Sequence, residues 1–220
     1  MLFRSENLDF QYRHNAPGNS RIDPSPNNLI DLYLLTKNYE DAYRAWVLDT
    51  TGTVDYPEKP NSEELRLAYQ SLENYKSVSD AIIYSSATFK PLFGAKASPE
   101  LQATFKVVKN SNVVVTDSEI RSRILSNINQ FFATVNWDFG ETFYFTELAT
   151  YIQQNMTPYV SSILIVPNST NQVYGSLQQI TSLPNEILIS AATVDNIEII
   201  SAITSAQLNL QNSVVNTIIT

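Results

Sequence analysis

The chain has 220 residues, a formal net charge of −8 and no cysteine. That length can bury the core of one large or two small domains without covalent staples, and the absence of cysteine excludes disulfides and thiolate-held metals. Lys and Arg end at Arg123. Residues 124–220 hold no Lys, Arg or His and six acids, Asp138, Glu141, Glu147, Glu186, Asp195 and Glu198, so this stretch cannot neutralise phosphates on a nucleic acid or an anionic membrane.

Charged residues make up 16% of the chain, against roughly 25% in ordinary domains. Asn, Gln, Ser, Thr and twelve Tyr fill the deficit. Surfaces that partners cover lose Lys and Glu and gain aromatics, so much of this surface is expected to be covered. No apolar run approaches the ~18 residues of a membrane-crossing helix. Met1-Leu2-Phe3-Arg4 lacks the apolar core of a signal peptide. The chain is expected to begin close to a strand, as a trimmed fragment would.

In chain order, Leu8-Asp9-Phe10-Gln11-Tyr12 alternates as a half-buried strand. A turn-rich loop around His14 and an extended stretch at Asp23-Pro24-Ser25-Pro26 follow. Leu29 to Leu35 reads as a buried strand, and Tyr39, Tyr43, Trp46 and Val47 share one face of a short helix. Asp49 to Pro60 is a loop. Asn61 and Glu64 form a capping box for a helix whose stripe is Leu65, Ala68, Tyr69 and Leu72. Ala81-Ile82-Ile83-Tyr84 starts a strand that Lys90-Pro91-Leu92-Phe93-Gly94 is expected to break.

Gln102 to Val108 is the next strand. Thr116-Asp117-Ser118-Glu119 is a second capping box, and Ile120, Ile124, Ile128, Phe131, Phe132 and Val135 mark one apolar helical face. Gly140 is expected to supply a positive φ after Trp137. Thr142 to Phe145 is a short strand, Thr146 caps a helix with Leu148, Tyr151, Ile152 and Met156 inward, and Ser162 to Val166 closes the unit as a strand. Val173 to Ile180 and Glu186 to Ser190 read as strands paired with each other. Val194 to Ile203 is ambiguous between strand and helix, and the last eleven residues are β-prone and uncharged. The expected architecture is α+β: two similar strand-helix-strand units packed in tandem, 1–98 and 99–168, with a β-rich C-terminal extension, 169–220.

Reactive groups are sparse. His14 is the one histidine, so neither a zinc site nor a Ser-His-Asp triad has its usual parts. The five glycines stand alone, which leaves no phosphate cradle and no expected cofactor. Asp138 and Glu141 bracket the turn beside Trp137, and two carboxylates near an aromatic ring can serve as a glycosidase-like acid/base pair; the plainer reading makes them solvated turn residues. A hydrolase using this pair, or a glycan- or receptor-binding tail module using exposed Tyr and Asn, is the alternative to an assembly role.

Arg21-Ile22-Asp23-Pro24, Ile30 to Thr36, Phe105-Lys106-Val107-Val108, Asn136 to Phe143 and Ile189 to Asp195 together resemble the C-terminal part of the baseplate wedge subunit of T-even-like contractile-tailed phages, a relative of the baseplate-J-like proteins. The resemblance implies a structural protein of the virion tail, assembled in the host cytoplasm, without catalytic or metal-binding residues. It implies self-association into dimers and a ring, contacts with other baseplate wedge proteins, and a longer full subunit. Trp137, Phe139, Val194 and Ile197 are the candidate interface residues.

Overall fold

The computed structural model of the chain describes residues 29–78, 81–169 and 178–202. The strand read at Leu8–Tyr12, His14, most of the segment from Val173 and the last eleven residues lie outside the described residues. The fold is α+β. Its contacts define two compact units: residues 1–43 with 56–87, and residues 44–55 with 88–220.

In the first unit, strands β1 (Leu29–Leu34) and β2 (Ala81–Ser86) pair in parallel, from Leu29 opposite Ala81 to Leu34 opposite Ser86. Parallel neighbours need a long crossover. It runs through the start of helix α1 (Lys37–Leu48), the loop after it and helix α2 (Ser62–Ala68). The Asn61 box forms in full: its side chain accepts from the Glu63 and Glu64 amides at 3.0 Å each, and the Glu64 carboxylate accepts from the Asn61 amide at 2.9 Å. Leu65 is fully buried, but α2 ends at Ala68, earlier than its stripe suggests. The Leu72 amide bonds back to Tyr69, three residues away, and the chain tightens into a 3-10 helix, Gln70–Val78. Burial, and the Glu73 carboxylate that accepts its hydroxyl at 3.0 Å, push Tyr84 up to about 12.

The second unit takes the rest of α1, the loop to Asp55 and everything from Thr88 onward. Strand β3 (Thr88–Leu92) contains Pro91, which the sequence marks as a breaker. Among the described residues β3 pairs only with β8 (Glu186–Ser190), so one of its edges lacks a described strand neighbour and a residue without an N–H is tolerated there. Strand β4 (Ala103–Lys109) lies between β6 (Val160–Pro167), antiparallel, and β9 (Ile197–Ile200), parallel. Its inward residues Ala103, Phe105 and Val107 are fully buried. Helices α3 (Asp117–Phe131) and α4 (Phe145–Met156) complete the core, α3 through Ile120, Ile124 and Ile128 and α4 through Leu148, Ile152 and Met156. Each such side chain contributes about 1.5–3 kcal/mol on burial.

Several expectations are corrected in this unit. Residues 88–98 are expected in the first unit and 186–200 in an extension, yet β3 pairs with β8 and β4 with β9, which puts both segments in one body. The described end of the stretch that runs to Ile180 does not pair with Glu186–Ser190. Strand β7 (Gln179–Thr181) pairs instead with β5 (Thr142–Tyr144). Only half of the Thr116 box forms: Thr116 accepts from the Glu119 amide at 3.2 Å, while the Glu119 carboxylate takes Arg123 at 2.6 Å. Thr146 is inside the first turn of α4, whose cap position is Tyr144. Val135 is exposed, because α3 stops at Phe131 and the 3-10 turn Thr134–Asn136 rotates it off the apolar face.

The loop after α1 is organised by Asp49. Its carboxylate accepts from the Thr51 hydroxyl at 2.6 Å, the Thr51 amide at 2.8 Å and the Val54 amide at 2.8 Å. The Thr51 hydroxyl first, then the backbone amides, hold Asp49 well below the usual carboxylate range. A depressed folded value means that the loop's stabilisation is present above the ordinary value of 3.8 and is lost as pH falls through the lowered one. A carboxyl NMR titration is expected to place the Asp49 midpoint below 3.8, with the Thr51 and Val54 amides following it. A midpoint at the ordinary value contradicts this.

Candidate functional site

The turn that follows α3 is held from inside by Trp137. Its indole N–H donates to the Phe131 carbonyl at 2.8 Å, and its ring stacks on Phe132 at 5.4 Å and 11°. Trp137 is 8% exposed. Phe143, on β5, faces the same aromatic cluster and pairs across the ribbon with Ile180, both buried. The Arg44 guanidinium donates to Thr134 Oγ1 and, at 3.5 Å, to the Phe132 carbonyl, which ties the end of α3 to α1 within the second unit.

From this anchor the chain reverses at Gly140, whose φ of +75° suits glycine. The Asp138 amide donates to Glu141 Oε2 at 2.7 Å. The Gly140 amide donates to the Glu186 carbonyl at 3.3 Å, and both the amide and the hydroxyl of Ser182 donate to the Glu141 carbonyl, at 3.1 and 2.9 Å. The second turn, Ser182 to Glu186, is closed by the Leu183 amide donating to Glu186 Oε2 at 2.8 Å. Two turns distant in sequence are thus bonded side by side.

Their outer side is apolar. Phe139 is 37% exposed and Leu183 58%, and Pro184 beside it is also exposed. The β5–β7 ribbon carries this surface onward: Phe143 and Ile180 point inward, the Thr142 and Thr181 hydroxyls meet at 3.1 Å on the other face, and Tyr144 is 38% exposed. Exposed Asp138 and Glu141 lie along its edge. Lys90, on β3, is engaged by the Thr181 carbonyl at 3.2 Å and by Glu186 at 3.5 Å.

The four interface candidates separate into two kinds. Phe139 and Val194, the latter 41% exposed, are on the surface, whereas Trp137 and Ile197 belong to the core. Ile197 is 1% exposed because it is an inward residue of β9 opposite Phe105 of β4. Leu183 and Tyr144 join the surface without having been singled out by sequence. The signals for them are an apolar residue inside a Pro-Asn turn, and the outward phase of the alternation Thr142-Phe143-Tyr144.

Asp138 and Glu141 have the surroundings of solvated turn residues. A general acid needs a desolvated setting. Both residues are exposed, and the Glu141 carboxylate closes the turn on the Asp138 amide. Among the described residues no group of three or more acidic or imidazole side chains converges on a possible metal site, and no helix is long and apolar enough to cross a membrane. No protein-family model matches the chain, nor does any curated protein.

Proposed function

We propose that this chain is a structural subunit of a phage tail baseplate wedge, acting by self-association and by binding neighbouring baseplate proteins. The observation that carries the reading is the surface built on the tryptophan turn. Apolar side chains stand in water there on a turn that buried aromatics and five hydrogen bonds hold fixed. Isolated exposed apolar residues are ordinary, but adjacent ones on a rigid mount mark a contact surface. The turn coincides with Asn136 to Phe143, a segment on which the resemblance to wedge subunits rests. A ring requires each subunit to present at least two distinct surfaces, and the charge-poor, tyrosine-rich composition agrees with extensive coverage.

Sedimentation of the purified chain, alone and mixed with the tail proteins encoded beside it, tests the reading. Self-association or a mixed complex is expected. A chain that stays monomeric at every concentration and binds none of them overturns it.

A further inference from the structure

We infer that the surface made by Phe139, Leu183, Pro184 and the outer side of the β5–β7 ribbon docks a different protein of the same assembly, one that brings an apolar contact flanked by Lys or Arg. The inference rests on the assembly role proposed above and assigns a place and a chemistry to one of its contacts.

The surface is preorganised. Phe139 and Leu183 are mounted on turns bonded to each other through the Gly140 amide, the Ser182 amide and the Ser182 hydroxyl, so little freedom is lost when a partner covers them. Rigid aromatic and apolar side chains at the centre of a patch are where binding energy concentrates.

Charge selects the partner. Asp138 and Glu141 border the patch, and residues 124–220 supply no cation. Lys90, the cation beside the ribbon, is already engaged by Glu186 and the Thr181 carbonyl. The edge therefore favours a positive partner and repels phosphates. A second copy offering the same face across a twofold axis would set Asp138 and Glu141 against their own equivalents, which is unfavourable. A second copy offering another face would bring cations already partly neutralised: among the described residues Lys37, Arg66, Lys90, Lys106, Lys109 and Arg123 sit in ion pairs within their own chain. A separate protein with its own Lys or Arg meets neither obstacle.

The test uses the full chain and each tail protein encoded beside it, with affinity read by isothermal titration at low and high salt. Phe139→Ser combined with Leu183→Ser is expected to weaken the mixed complex at least about tenfold with the thermal midpoint unchanged. Asp138→Lys, which leaves the backbone bonds of the turn in place, is expected to weaken it too and to flatten its salt dependence. If the wild-type chain forms a mixed complex and the variants form it equally well, this inference falls and the assembly role stands. If the variants instead abolish only self-association, the occupant is a second copy and the inference is overturned. If the wild-type chain binds nothing, both fall.

Discussion

Gly94→Ala is expected to destabilise the second unit by about 3 kcal/mol or more. A Cβ at Gly94 would lie 1.6 Å from the Ala191 carbonyl oxygen and 2.4 Å from its carbon. Neither atom belongs to a flexible side chain that can swing away. The Ala191 amide donates to the Leu92 carbonyl at 2.8 Å, and the Gly94 amide approaches the same oxygen at 3.1 Å, so relief requires prising β3 from the end of β8. Glycine is needed here for close approach of two backbones rather than for a left-handed φ. For a chain of this size the loss corresponds to a fall in thermal midpoint of roughly 6–12 °C, checked by calorimetry. A Gly94→Ala variant as stable as wild type would mean that the β3–β8 junction is misplaced.

Phe93→Ala is the other large effect, an expected loss of about 3–5 kcal/mol. The Phe93 ring is fully buried and meets Phe105, Phe132, Phe143 and Phe145 edge-on at 5.0, 5.8, 5.8 and 6.1 Å. Its removal opens a cavity at the centre of the aromatic cluster. The backbone adds a second, separable contribution. Phe93 has a φ of +76°, a left-handed conformation that costs a side-chain-bearing residue about 1–2 kcal/mol. The Phe93 amide donates to the Leu101 carbonyl at 3.0 Å and its carbonyl accepts from Ala103 at 3.1 Å, which fixes that conformation. Alanine keeps the strain and glycine releases it. Phe93→Gly is therefore expected to be at least as stable as Phe93→Ala in urea unfolding, the reverse of the usual order for the two residues. A glycine variant clearly weaker than the alanine one contradicts the backbone account.

These two neighbours show where a sequence is legible and where it is not. Ile120, Ile124 and Ile128 announce their helix because a buried face repeats every three or four residues, and β4 announces itself by alternation. Asn61 and Gly140 are legible for a similar reason, since capping and positive φ are demands of a few adjacent residues. Lys90 to Gly94 reads wrongly as a break because Pro91 and Gly94 are locally disruptive. Their places are set by distant partners: β8 on one side of β3 and, among the described residues, no strand on the other for Pro91, and the Ala191 backbone for Gly94. The 1–98, 99–168 and 169–220 division fails for the same physical reason. β8 and β9 enter the second unit by pairing with β3 and β4, and pairing between remote strands leaves no periodic trace in either one.

The candidate surface is half legible. Phe139 stands out beside Trp137 and Gly140, but composition alone does not tell that the tryptophan turns inward and the phenylalanine outward. Leu183 is invisible as a neighbour because its turn reaches Phe139 only through the bonds from Gly140 and Ser182. Ile197 misleads because an apolar residue in an ambiguous segment reads the same whether it faces β4 or water.

Assembly is tested most directly by sedimentation velocity of the intact chain, first alone over a wide concentration range and then with each neighbouring tail protein in turn. The proposed wedge role predicts a faster boundary, either from the chain alone as concentration rises or containing both chains in at least one mixture. A slow boundary at the mass of one chain in every mixture would contradict it.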